Sequence, residues 1–303
     1  MNIVRHGKDC ITEKSAVALG NFDGLHTAHM QIINSCRDYA DKKGLKSGVL
    51  LFDEHTLNLI KGQNTDLITD KISKIDILNS IGIDFVYCRK FDEAFMKMSP
   101  EEFVCDLKRC VNVSAVFVGY DYRFGYKAQG DVCKLAQLGE KYGFDVIVTD
   151  KIEMNGEAVK SSRIRELVSA GDMSKAGQML GRMFSITGTV EKGLRNGHKL
   201  GFPTANVSYE KNTLLPCKGV YAGYTSVDGN KYKSVINVGN NPTFGAEKIT
   251  VESHIQDFNE DIYGKTVTVE FAFRIREDIK FSSIDDLKNQ ICKDIEKAKT
   301  ELI

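Results

Sequence analysis

Along the first half of the chain, short apolar runs alternate with longer stretches of helical spacing. Residues 15–20 read as a strand closing on a glycine turn; 48–52, 84–88, 115–119 and 145–148 read as further buried strands. Between them, 28–43 carries Met30, Ile32, Ile33, Cys36 and Ala40 near helical spacing, and 70–81, 99–111 and 131–142 also read as helices. Strict alternation of strand and helix predicts a parallel sheet with helices on both faces. Such sheets hold ligands at the carboxyl ends of their strands.

The second half changes period. After two short helical runs at 164–170 and 172–180, residues 184–190, 219–227, 232–238, 249–255 and 266–274 are rich in Val, Thr, Tyr and Phe, many alternating in twos. Asp228-Gly229-Asn230 between two of them signals a hairpin. Residues 283–299 form an amphipathic pattern with Ser282 or Ser283 as N-cap. The expectation is an antiparallel β-barrel with a terminal helix, preceded by the α/β domain. The break falls near 181–183, giving domains 1–181 and 182–303.

Composition narrows the chemistry. The 303 residues suit two domains, and 27% charged with 42% apolar residues is an ordinary globular balance. Lys plus Arg equals Asp plus Glu at 41 each, so no general attraction to nucleic acid or anionic membrane is expected. Eight scattered cysteines without a CxxC pair point to reduced thiols rather than to a zinc site or a disulfide scaffold. A polar N-terminus and the lack of a long apolar run make a cytoplasmic protein the expectation.

Two stretches carry chemistry. Gly20-Asn21-Phe22-Asp23-Gly24 follows the first buried run and leads through His26 and His29 into the first helix. The unpaired N–H groups of a helix start seat a phosphate, and histidines three apart share one side of the first turn. Alone, such a pair is more often one cap and one solvated ring; a metal pair would need another spacing and a third ligand. Farther on, Ser161, Ser162, Arg163 and Arg165 place hydroxyls and guanidinium groups at another helix start. In the second half, Leu200-Gly201-Phe202-Pro203-Thr204-Ala205-Asn206 puts Thr204 and Asn206 two apart on an extended segment, projecting to one side. Their oxygens are hard ligands of the kind Mg²⁺ accepts beside phosphates, although a polar turn would look the same.

Asn21–His29 resembles the GxFDGxHxGH signature of nucleotidylyltransferases, in the form found in bacterial bifunctional riboflavin kinase/FAD synthetases. Leu51–His55, Phe91-Asp92-Glu93, Ser99–Phe103 and Gly119–Gly125 with Gly130-Asp131 are similar to further segments of that family. Residues 161–165 resemble its ISSTxIR motif. LGFPTAN is the hallmark of its kinase half, and Asn237-Val238-Gly239, Asn241–Gly245, Thr250–His254 and Asp261–Gly264 follow in family order. Ala28 stands where the family has glycine, Lys160 where it has serine, and His198 where it usually has arginine. The resemblance implies a Rossmann-like nucleotidylyltransferase domain and a riboflavin kinase barrel, converting riboflavin to FMN and FMN to FAD with ATP and Mg²⁺. It implies Glu252 as general base, and His26, His29 and Arg165 as catalytic groups of adenylyl transfer. Thr204 and Asn206 would hold Mg²⁺; Gly20 to Gly24, Ser161, Ser162, Arg163, Gly201, Pro203, Thr204 and Asn206 would bind ATP. Asp121, Arg123, Phe124, Arg276 and Phe281 would lie at flavin. The rival readings are a chain with only the kinase active, and a flavin-binding protein without turnover.

Overall fold

The computed structural model describes residues 1–52, 65–193, 197, 200–240 and 249–302. Its contacts group into two compact units, residues 1–67 with 71–160, and 68–70 with 161–303.

The first unit is built on six strands: β1 (Asn2–Arg5), β2 (Ser15–Ala18), β3 (Lys46–Phe52), β4 (Phe85–Arg89), β5 (Val113–Gly119) and β6 (Asp145–Thr149). They lie side by side in the order β1-β4-β3-β2-β5-β6, every pair parallel. Helices α1 (Thr27–Lys43), α2 (Lys71–Ser80), α3 (Glu93–Met96), α4 (Pro100–Val111) and α5 (Val132–Tyr142) connect them. Two apolar clusters follow from the alternation of side chains along each strand. Ala16, Ala18 and Val49 pack with Ile33 and Cys36 of α1, while Val17, Leu50 and Val116 pack with Leu107 and Leu135. The predicted parallel sheet, covered on both faces, is present.

Several expected helices begin one residue early in the sequence reading, for one physical reason. Ser99 and Asp131 are N-caps whose side chains accept the N–H groups of Glu102 and Lys134, so their own backbone stays extended. Strand β1 was not foreseen. Three of its four residues are exposed, and a polar edge strand has no apolar period to detect. The two-residue strands β7 (Glu153–Met154) and β8 (Glu157–Ala158), a small antiparallel pair, are too short to leave a period in the sequence.

The second unit opens with α6 (Ser161–Ala170) and α7 (Met173–Leu180). Packing therefore divides the chain ahead of the expected break near 181–183. Six strands follow: β9 (Phe184–Glu191), β10 (Ala205–Val207), β11 (Gly219–Val227), β12 (Asn230–Asn240), β13 (Ile249–Ile255) and β14 (Thr266–Arg276). They close into an antiparallel barrel in the order β10-β13-β12-β11-β14-β9, with β9 pairing back to β10. The inward positions are Phe184, Ile186, Tyr221, Ile236, Val251, Val269 and Phe271, all nearly sealed from solvent. Asp228 and Gly229 make the expected hairpin turn, with φ of 48° and 82°. Helix α8 (Ile284–Glu301), capped by Ser283, lays Ala298 against Val220, Ala222 and Val235 on the outside of the barrel. Asp294 of α8, itself buried, receives the guanidinium of Arg276 at 2.9 Å.

Candidate functional sites

In the first unit, β2 ends in the turn 20–25. Of its two glycines only Gly24 takes a left-handed φ, 89°; Phe22 (45°) and Leu25 (41°) take the others. Both side chains are completely buried, so core packing holds a backbone that non-glycine residues resist. Gly20 serves by closeness instead: a Cβ there would meet the Phe22 ring at 3.0 Å. Asp23, 2% exposed, faces Nζ of Lys74 at 3.7 Å from the adjoining helix α2. Lys74 carries no signal in the sequence that marks it as part of this turn.

The two histidines meet the cap-and-solvated-ring expectation by half. His26 is the N-cap of α1, its Nδ1 accepting the N–H of His29 at 3.3 Å. Their rings stack with centroids 3.5 Å apart, and Phe22 meets His29 edge-on. His29 is not the solvated member of the pair: its Nδ1 is buried and has no hydrogen-bond partner among the described residues. Burial, helped by neighbouring His26 and Lys74, pushes the His29 pKa well below its ordinary value. Its imidazole is neutral at pH 7, with an unused polar atom. Ala28 sits beside them as an ordinary residue of the first helical turn.

Next to this turn lies a cavity of about 670 Å³, lined by Phe52 at the end of β3 and by residues that follow β2, β4 and β5. That is the carboxyl edge of the sheet, where the topology places ligands. Its walls are largely aromatic, with Phe52, Phe91, Phe95 and Phe124 prominent, and Gly20 and Asn21 reach its rim. Tyr122 and Phe124 stack at 5.6 Å, and Gly130 permits this, since a Cβ there would strike the Phe124 ring at 2.6 Å. Arg123 also lines the cavity, 3.6 Å from the carboxylate of Asp131. Asp121 does not; it is exposed on the preceding turn.

In the second unit, Ser161, Ser162, Arg163 and Arg165 occupy the first turns of α6, where Arg163 pairs with Glu166 at 3.1 Å. Farther along, the loop before β10 and strand β13 form one outer surface of the barrel. His254 donates from Nδ1 to the carbonyl of Pro203 at 2.8 Å, fixing the 203–206 segment to β13. Asn206 then lies directly opposite Glu252, and Asn237 opposes Glu252 from the other side. Directly opposed residues share a face, so all three project outward together, while Val251 and Ser253 turn in. The hydroxyl of Thr204 donates to Glu252 Oε2 at 3.4 Å. Burial raises the Glu252 pKa, only partly offset by that hydrogen bond.

Two glycines leave room for this cluster. A Cβ on Gly193 would fall 2.2 Å from the Asn206 amide nitrogen, and one on Gly197 would meet the Phe202 carbonyl at 2.4 Å. Gly193 was not singled out by the sequence; a lone glycine after a strand has no distinguishing pattern. Gly201 takes a φ of 91° just ahead of Pro203. A second cavity of about 310 Å³ adjoins Thr204 and Pro203, with Glu260 and Asp261 among its walls. Arg276 lies over the Phe281 ring at 5.7 Å while bound to Asp294. Asp53, Glu54, His55, His198 and the stretch 241–245 lie outside the described residues.

Comparison with known proteins matches these two regions separately. Residues 8–163 match the family model for FAD synthetase, and residues 180–302 match that for riboflavin kinase. Curated relatives named bifunctional riboflavin kinase/FMN adenylyltransferase include one from Bacillus subtilis, 34% identical, spanning 94% of this chain and 92% of that protein. Another, from Haemophilus influenzae, is 34% identical over 99% of this chain and 98% of its own. Among solved structures, the crystal structure of a macrolide-efflux protein from Streptococcus pneumoniae superimposes with a TM-score of 0.88, at 29% identity and 99% coverage of both chains. Among the described residues here, no helix is long and apolar enough to cross a membrane. With both family models matched in order and full-length relatives above 30% identity, the chain belongs to the bifunctional riboflavin kinase/FMN adenylyltransferase family.

Proposed function

We infer that the chain makes FMN from riboflavin and FAD from FMN, consuming ATP in each reaction. The observation that carries the kinase step is Glu252: a partly desolvated carboxylate beside Thr204 and in register with Asn206. As the primary ribityl hydroxyl attacks the γ-phosphorus of ATP, its proton passes to Glu252, and ADP departs. A carboxyl with a raised pKa is a better match for that proton than a free glutamate. Thr204 and Asn206 offer neutral hard oxygens, and Gly193 keeps the space beside the Asn206 amide clear, a donor set that suits Mg²⁺ with phosphates. Bound there, Mg²⁺ would neutralise phosphate charge.

In adenylyl transfer, a phosphate oxygen of FMN attacks the α-phosphorus of a second ATP, forming the new P–O–P link as pyrophosphate leaves. The turn 20–24 and the start of α1 receive the nucleotide phosphates, and neutral His29, with His26, donates hydrogen bonds to the spreading charge. Ser161, Ser162, Arg163 and Arg165 attend the pyrophosphate, as the family resemblance implies. We assign this activity to residues 1–181 and the kinase to 182–303. The aromatic cavity takes the isoalloxazine ring of FMN, with Arg123 and Phe124 on its wall and Asp121 at its approach. Arg276 and Phe281 serve riboflavin in the barrel. Eight free thiols suit a reducing cytoplasm.

One time course decides the matter. Full-length protein with riboflavin, ATP and Mg²⁺ should accumulate FMN first and FAD after it. No FAD from supplied FMN would leave a kinase alone, and no FMN from riboflavin would overturn the kinase reading.

A further inference from the structure

Behind the aromatic cavity lies a buried polar cluster that the two reactions do not use. Arg89, the last residue of β4, is 7% exposed, and Asp106 of α4 is 3% exposed. Arg89 Nη1 donates to Asp106 Oδ2 at 2.7 Å, and the Tyr87 hydroxyl donates to the same oxygen at 2.9 Å. Arg109 holds the other carboxylate oxygen at 2.7 Å. His6 adjoins both Arg89 and the Tyr87 hydroxyl. His6, Asp106 and Cys110 come close enough together to suggest a cation site, yet two guanidinium groups already occupy Asp106 and would repel a metal.

The other end of Arg89 explains the arrangement better. Its guanidinium lies over the Phe95 ring at 4.7 Å, and Nη2 reaches the Met98 sulfur at 3.3 Å. Phe95 and Met98 both line the cavity. Phe95 is also the hub of its aromatic wall, with Phe52, Phe91 and Phe103 at centroid distances of 5.3, 5.4 and 5.8 Å. Yet it belongs to α3, a helix of four residues. One turn has almost no stability of its own, so tertiary contacts must hold it. Arg89 keeps its Nε buried with no partner among the described residues, so hydrogen-bond satisfaction alone does not account for its place.

We propose that Arg89, anchored by Asp106, is a positioning residue that holds the Phe95–Met98 wall in the shape that receives the FMN ring. It does not touch the reacting atoms. The inference rests on the reading of the cavity as the FMN pocket of adenylyl transfer.

The test compares Arg89→Met, Arg89→Lys and Phe124→Ala in the full chain. For each, FMN titrations of FAD formation give KM and kcat, and riboflavin phosphorylation in the same preparation reports an intact second unit. Arg89→Met should raise the KM for FMN about tenfold with kcat within about twofold, the scale of a small misplacement of a binding surface. Arg89→Lys, which keeps the charge for Asp106 but loses the flat face over Phe95, should show an intermediate KM; it also serves if Arg89→Met fails to fold. If Phe124→Ala raises KM while both Arg89 variants keep the wild-type value, the positioning role is rejected and the pocket survives. If Phe124→Ala leaves KM unchanged, the pocket reading fails and this inference fails with it. A fall in Tm without change in KM would mark Arg89 as structural only, and overturn the proposal.

Discussion

The two units meet the same problem, a nucleophile approaching a phosphorus of ATP, with opposite materials. The sheet offers backbone: a turn forced into left-handed φ at Phe22 and Leu25, a helix start, and a stacked histidine pair in which His29 is neutral. The barrel offers side chains: Glu252, Asn206 and Asn237 aligned across three strands by register, with Thr204 brought to them by the His254–Pro203 hydrogen bond. Desolvation acts on both sites and moves their key groups in opposite directions, the carboxyl up and the imidazole down. A buried backbone turn tolerates substitution on its solvent side but depends on core packing. A register-built site depends on each side chain and on the space around it.

The largest expected effect is a crossed loss of activity. Glu252→Gln should lower FMN formation by about 10²–10⁴, the usual worth of a general base, while FAD formation from supplied FMN stays within twofold. His29→Ala should do the reverse, lowering FAD formation by about 10²–10³ and sparing the kinase. Separate rate measurements on each variant check the pair. Equal losses of both activities in either variant would break the comparison between independent sites.

That comparison was only partly legible in the sequence. The parallel sheet and the barrel were, because periods of 3.6 and 2 come from burial and most of these elements are buried on at least one face. Thr204, Asn206 and Glu252 were visible as residues, and the projection of the first two to one side followed from an extended chain. Their assembly was not, since register between distant strands such as β10 and β13 is set by barrel closure. β10 itself is three residues long, too short to show alternation. The cap made by His26 was anticipated for an isolated pair, but the surroundings of His29 depend on the Phe22 ring and on the charge of Lys74 in α2, which comes some forty residues later. Lys74 and Gly193 were invisible for the same reason: each matters through a neighbour distant in the chain.

Gly193→Ala sharpens the barrel half of the comparison with a smaller effect. The added methyl would overlap the Asn206 amide, which must rotate or shift away from its place opposite Glu252. We expect kinase kcat/KM to fall about tenfold, most of it in the KM for Mg²⁺–ATP, with adenylyl transfer unchanged. Initial rates over a range of ATP at fixed riboflavin measure it. An unchanged KM for ATP would mean that the Asn206 amide does not serve the nucleotide.

The smallest effect is a displacement along the pH axis, and it tests the opposed shifts directly. Profiles of kcat/KM report groups of the free enzyme, the state to which both shifts apply. Glu252 must be ionised to accept a proton, so kinase activity falls as pH drops through its pKa. Because burial raises that pKa, the acid limb should lie above the ordinary glutamate value of 4.5. Thr204→Val removes a hydrogen bond that favours the ionised form, so any activity it retains should show a limb at still higher pH. For FAD formation, His29 would gain its proton only well below its ordinary value of 6.5. The adenylyl-transfer profile should therefore show no inflection from His29 near 6.5, and His29→Asn should leave the residual profile unchanged there. A wild-type inflection near 6.5 that vanishes in His29→Asn would mean that this imidazole titrates as though solvated, contrary to its burial against Phe22 and His26.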